Sequence, residues 1–203
     1  MTRLPVTELQ ARLDRAFTAH PERTSLGDFR APPAVVSAES AALAYASRIV
    51  TPHREVGRLF PDKTTILDWH LPPIRPIVPA GRPRRIAFAG PTIARKGAHA
   101  VRDAARSLGL EVVTLGSELE GPSFWNGIAM RRPAPGFGWL SQVAAVVQPA
   151  TVEDRPRNLL AALAGGVPII ASRACGLGAC DGVTLVPPDD AGALIAALKT
   201  ILG

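Results

Sequence analysis

A chain of 203 residues, 47% hydrophobic and 20% charged, is long enough for one or two domains with a sizeable core, which excludes disorder over its whole length. The formal net charge is +6, yet only Lys63, Lys96 and Lys199 among the 23 basic residues are lysine, no run of five like charges occurs, and aromatic residues make up 5%. That is the signature of a GC-rich, bacterial coding bias and a solvated surface, and it argues against nucleic acid as a partner. No secretory leader and no transmembrane run of about 18 apolar residues is visible. The expected compartment is the cytoplasm, with a peripheral place on the inner face of the membrane also open. Cys175 and Cys180, in CGLGAC, lack paired CxxC spacing, and the four histidines are scattered singly. Neither a metal site nor a disulfide is expected.

Residues 5–20 read as an amphipathic helix, with Leu9, Leu13 and Phe17 at helical spacing and Thr7 as its cap. A polar, proline-bounded loop covers 24–33, and a second helix 34–46. RIVT, 48–51, reads as a strand, followed by a helix from Pro52 through Phe60. TTILDW, 64–69, reads as another strand. Five prolines then lie between Pro72 and Pro83. Such a segment is neither helix nor interior strand, so the expected organisation is a partial amino-terminal unit (1–70), a proline-rich linker (71–83) and a second domain (84–203).

Beyond the linker the pattern is regular. Strands are expected at 85–90, 111–116, 144–150, 167–172 and 183–187, and helices at 96–108, 157–164 and 189–202. Continuous apolar strands alternating with helices predict an α/β fold, a doubly wound parallel sheet preceded by a small, mainly helical partial domain. Ligands of such sheets sit beyond the carboxyl ends of the strands. The loops at 90–96, 116–120, 149–157 and 172–180 should therefore share one edge.

Three of these loops carry chemically interesting residues. In AGPTIARKGAH, Gly90 ends a strand and Arg95 and Lys96 open a helix, where free N–H groups and two cations suit a phosphate. The spacing of a Walker loop or a dinucleotide fingerprint is absent. In VEDRPR, Glu153 and Asp154 precede a helix start and Arg155 and Arg157 flank Pro156. The structural alternative is capping acids paired with neighbouring arginines, worth about 0–1 kcal/mol at an exposed site. The functional alternative is arginines orienting a diphosphate, with a carboxylate binding a sugar hydroxyl or acting as acid or base. In ASRACGLGAC, Gly176 and Gly178 allow close backbone approach, and Cys175 has no base partner in view.

On these residues the chain from about Arg84 resembles the carboxyl-terminal, nucleotide-sugar-binding half of a retaining GT-B glycosyltransferase of the family 4 (group 1) type. RIAFAGPTIARKGAHAV is similar to that family's strand, glycine, loop and Lys-Gly segment. QPATVEDRPRNLLAALAGGVPIIAS is similar to its Glu-x7-Glu segment, and VTLVPPDDAGALIAALKTIL to its closing strand, acidic turn and helix. Upstream, ESAALAYASRIVTPHREVGRLF resembles the end of its acceptor domain. The resemblance implies a Rossmann-like half with Lys96 on the donor diphosphate, assisted by Gly90, Arg95, Arg155 and Arg157. Glu153 faces the donor sugar as the catalytic residue. Asp154, Asn158 and Gly176 are further sugar or loop contacts. The substrates implied are a nucleotide sugar and an acceptor, with no cofactor and no metal. Two positions depart from the family: Pro91 replaces an arginine, and Ala161 replaces the glutamate that holds the ribose. Residues 1–70 are also shorter than an acceptor domain of the usual ~100–200 residues. That leaves three expectations: a fragment, a chain completed by another polypeptide, or a remnant, and with them a non-catalytic GT-B-like module as the rival function.

Overall fold

Runs such as RIAF and AVVQ lack the polar alternation of a half-exposed strand, and they form the centre of a sheet covered on both faces. A computed structural model of the chain describes residues 3–77 and 83–203. Its main sheet contains β3 (Arg85–Phe88), β4 (Glu111–Thr114), β5 (Met130–Arg131), β6 (Ala145–Gln148), β7 (Ile169–Ser172) and β8 (Val183–Val186), all parallel, in the order β5-β4-β3-β6-β7-β8. The chain winds outward from β3 to β5, then crosses back to β6 and winds the other way. The switch lies between β3 and β6, which pair Ile86 with Ala145 and Phe88 with Val147.

Successive side chains of a strand face opposite sides, and both sides are apolar here. Ile86, Phe88, Val147 and Ile170 form one core with α4 (Ala98–Leu108) and α6 (Ala191–Leu202). Ala87, Val146, Ile169 and Ala171 form the other with α5 (Arg157–Gly165) and a 3-10 turn at Gly138–Gln142. Each fully buried Phe or Ile contributes about 1.5–3 kcal/mol, so the two cores hold the strand ends in register. α6 begins at Ala191 rather than Asp189, with Asp190 as its cap, accepting the Ala193 N–H at 2.8 Å.

The amino-terminal part contains α1 (Val6–Ala19), α2 (Pro33–Tyr45), α3 (Arg54–Leu59) and a two-stranded parallel pair, β1 (Ile49–Thr51) with β2 (Thr64–Ile66). α1 uses its Leu9, Leu13 and Phe17 stripe to pack on Leu26, Ala94 and Val152, so it docks on the loops that follow β3 and β6. Ile74 and Ile77 of the proline-rich stretch pack on the second core, and Ile77 N–H donates to the Gly165 carbonyl at 2.9 Å. Residues 78–82 of the expected linker lie outside the described residues.

Several local expectations need correction. Thr7 does not cap α1: Pro5 occupies the cap position, and the Val6 N–H goes to the Glu39 carboxylate of α2. α3 starts at Arg54 rather than Pro52, because the Thr51 hydroxyl accepts the His53 N–H at 3.0 Å and keeps 51–53 out of the helix. β2 stops at Ile66, where its pairing with the three residues of β1 ends. The helix expected from Lys96 begins only at Ala98. Residues 94–96 form a 3-10 turn, and Gly97 at φ +83° separates the two pieces. A side chain at Gly97 would also run into the Pro149 carbonyl. β5 and the 3-10 turn at 138–142 were not anticipated.

Candidate functional site

The four loops expected on one edge do meet there. Thr92 bridges to Glu118, and the Gly116 backbone lies so close to Pro91 that a Cβ would sit 2.5 Å from it. The Arg95 carbonyl accepts the Thr151 N–H at 3.0 Å, Ser172 Oγ donates to the Ala150 carbonyl at 2.5 Å, and Cys175 Sγ donates to the Gln148 carbonyl at 3.4 Å.

At the centre, just beyond the β3/β6 switch, Lys96 Nζ lies 3.0 Å from Glu153 Oε2 and 4.0 Å from Asp154 Oδ1, and donates to the Val152 carbonyl at 3.1 Å. Lys96 and Glu153 are both buried. The other Glu153 oxygen accepts the N–H groups of Asp154 at 2.8 Å and Arg155 at 2.9 Å, and Gln148 Nε2 donates to Oε2. Burial by itself drives the Glu153 pKa up. The Lys96 ammonium and the two N–H groups outweigh it and hold the carboxyl below the ordinary glutamate value. Glu153 is therefore an ionised, buried carboxylate with fixed donors. The partner of the acids in VEDRPR is Lys96, from another loop, and not the neighbouring arginines.

Arg155 and Arg157 are exposed, and Arg95 is partly buried; none forms an ion pair among the described residues. α5 starts between them. Pro156 is its cap residue without a side-chain cap bond, and the N–H groups of Asn158 and Leu159 have no partner among the described residues. Asn158 Nδ2 donates to the Ala89 carbonyl at 2.7 Å, which ties this helix start to the end of β3. Gly90 lies on the same side. A Cβ there would be 2.9 Å from Gln148 Nε2 and 3.3 Å from the Lys96 side chain, so the missing side chain lets both reach Glu153.

The loop after β3 is less open than its sequence implies. The Ala94 N–H donates to Glu120 Oε1 at 2.6 Å, and the Ala100 N–H in the first turn of α4 reaches Asp189 Oδ1 at 3.3 Å. Asp189, at φ 54°, is held by Arg23 and by its own N–H on the Pro149 carbonyl at 2.9 Å. The chain's own carboxylates thus take two of the N–H groups around the helix start where a phosphate was expected.

Two residues that sequence reasoning missed hold Glu153. One is Gln148, a polar residue ending an apolar strand; that interruption was the available signal. The other is His53, fully buried, whose Nε2 is 3.2 Å from the Glu153 carbonyl. Burial pushes its pKa below the ordinary histidine value despite that hydrogen bond, so the neutral ring donates Nε2–H to the carbonyl. Nothing in the sequence marks His53, because it arrives from the amino-terminal part. It also corrects the reading of Gly176. The close approach that this glycine permits is to the His53 ring, 2.5 Å from where its Cβ would be, and not to open space for a ligand. Cys175 is an inert thiol, its pKa pushed up to about 12 by burial and by the Glu153 charge.

Two cavities flank this centre. One, about 580 Å³, has Arg95, Lys96, Glu153 and Asp154 on one side and α1 with residues 29–35 on the other. The second, about 470 Å³, is lined by Gly116, Ser117, Arg132, Trp139 and Asn158 among others. No helix among the described residues is long and apolar enough to cross a membrane.

No protein-family model and no curated protein matches the chain. Solved structures do. Sucrose-phosphate synthase from Thermosynechococcus elongatus superimposes with a TM-score of 0.68 at 20% identity, over 96% of this chain and 56% of that one. HepE from Anabaena, in complex with UDP and glucose, gives 0.63 at 14% identity over 82% and 56%. The lipopolysaccharide outer core galactosyltransferase WaaB gives 0.64 at 14% over 81% and 55%. The chain spans a little over half the length of each. With its two-way winding around β3 and β6, the chain has the Rossmann-like GT-B fold of these glycosyltransferase structures over that shared part.

Proposed function

We propose that the chain is the donor-binding part of a glycosyltransferase that moves a sugar from a nucleotide sugar to an acceptor. The observation that carries this reading is the buried Lys96–Glu153 pair at the β3/β6 switch, beside a helix start where the Asn158 and Leu159 N–H groups are unpartnered among the described residues. In this reading the diphosphate sits at the start of α5. The Asn158 and Leu159 N–H groups and the guanidinium groups of Arg155 and Arg157 would take up the charge that develops as the nucleoside diphosphate departs. The 470 Å³ cavity beyond Asn158 takes the nucleoside. Glu153, held ionised by Lys96, faces the sugar, and its negative charge stabilises positive charge developing at the anomeric carbon. Asp154 and Arg95 line the 580 Å³ cavity with Glu153 and bind sugar hydroxyls or the acceptor.

The second reading, a binding module without catalysis, is favoured by Ala161. This residue is buried in α5 and puts a methyl group where the resemblance calls for a ribose-binding carboxylate. Calorimetric titration with UDP, GDP and ADP separates the possibilities. Binding to one of them, with turnover of its sugar conjugate that is lost in Glu153→Gln, supports the enzyme. Binding without turnover supports the module. No heat with any of the three at millimolar ligand overturns both.

A further inference from the structure

The 580 Å³ cavity has two unlike sides. The carboxyl-terminal side presents Arg95, Lys96, Glu153 and Asp154. The amino-terminal side is apolar: Leu9 of α1, Phe29, Pro32 and, at the mouth, Val35 of α2 carry its accessible surface, over a floor of buried Val6 and Leu13. Among the described residues, the polar side chains on that wall are Arg3 and Arg30, and both are engaged. Arg3 pairs with Glu39 at 2.8 Å and donates to the Leu4 carbonyl at 3.0 Å. Arg30 pairs with Asp14 at 2.8 Å and donates to the Phe29 carbonyl at 2.7 Å. A free sugar needs hydrogen-bonding groups around its hydroxyls, and this wall offers few beyond the partly engaged Arg3 and Arg30. An alkyl chain gains from such a wall in proportion to the area it covers. Building on the proposed function, we infer that the acceptor is an alcohol carried on an aliphatic chain. Its hydroxyl end lies at Glu153 and Asp154, and its chain runs along α1 towards Val35. The cavity volume falls in the range of ordinary small-molecule sites.

The test uses the full chain and a series of hexyl, octyl and decyl glucosides below their micelle concentrations, with glucose as the chain-free control. Affinity should rise with length, by as much as about fourfold per buried CH₂, and glucose should bind far more weakly. Val35→Asp should weaken octyl glucoside binding by about tenfold, from the cost of setting a charge beside the alkyl chain. An acid at the third position of α2 is favourable for the helix, so the variant should fold. Leu59→Asp, in the separate apolar groove between α1, α2 and α3, serves as the control and should leave binding unchanged. No binding, affinity independent of chain length, or equal losses in the two variants would overturn the inference. UDP, GDP and ADP titrated into the same samples keep the two questions apart. Their failure to bind counts against the glycosyltransferase reading, while the length series still reports on the cavity.

Discussion

α4 and α5 both begin where a central strand gives way to a charged loop, and both offer N–H groups to the same edge of the sheet. At α4 one of those groups is met from within: Asp189, paired with Arg23, takes the Ala100 N–H, and Glu120 takes the Ala94 N–H of the turn before it, while the Ala98 and His99 N–H groups have no partner among the described residues. At α5 the Asn158 and Leu159 N–H groups are unpartnered among the described residues, and the adjacent Arg155 and Arg157 are exposed without ion pairs. Local sequence offered both starts as anion sites, each with two cations beside it. The difference teaches that a residue distant in sequence can take up part of a helix start that local pattern leaves open.

That contrast can be broken or sharpened by measurement, and the largest effect concerns the pair between the two helix starts. Lys96→Met leaves Glu153 buried without its cation, which should cost about 3–5 kcal/mol in urea unfolding. Adding Glu153→Gln should recover a large part of it, and a cost below about 1 kcal/mol for Lys96→Met alone would mean that the buried pair does not form.

Next comes the α5 side. Arg155→Ala with Arg157→Ala should weaken nucleoside diphosphate binding by roughly ten- to a hundredfold, as expected for lost charge-assisted contacts. Stability should move by no more than about 0.5 kcal/mol, since neither side chain is packed or paired. A large stability loss with unchanged affinity would reverse the assignment.

The pH dependence follows from His53 and His99. Burial pushes both below the ordinary histidine value. The unfolded chain therefore binds more protons than the folded one as pH falls through about 6.5. Stability should be fullest above that value and drop on acidification, by at most about 1.4 kcal/mol per pH unit for each histidine. Unfolding midpoints between pH 7.5 and 5 read this directly, and His53→Gln should flatten the slope.

The smallest effect is at α4. Asp189→Asn should cost about 1 kcal/mol, because Arg23 loses the less exposed of its two carboxylate partners. It should leave nucleoside diphosphate affinity unchanged. A several-fold gain in affinity would instead show that Asp189 competes with a phosphate at α4.

Much of the architecture could be read from the chain because it rests on local pattern. The continuous apolar strands and the Leu9–Leu13–Phe17 stripe are each written within a single strand or helix. The helix start expected at Lys96 failed for an equally local reason. Gly97, with its left-handed backbone, breaks the helix that periodicity alone would continue. The two-residue β5 escaped notice because a strand of that length carries no period.

The site divides along the same line. The sequence by itself determined which loops gather at the switch, since a parallel βα alternation sends every strand's carboxyl end to one edge. It also pointed to Lys96 and Glu153 as residues worth watching. Only the tertiary structure decided their states. Lys96 and Glu153 are far apart in the chain, yet they neutralise each other in a buried space where an unpaired charge would be costly. His53 from the amino-terminal part fills the room that Gly176 leaves, and Glu120 and Asp189 take two N–H groups around the start of α4 that local pattern left open. Local pattern sets backbone shape through sterics and hydrogen-bond geometry. Which charge meets which depends on contacts across long stretches of chain, and those exist only once the sheet has assembled.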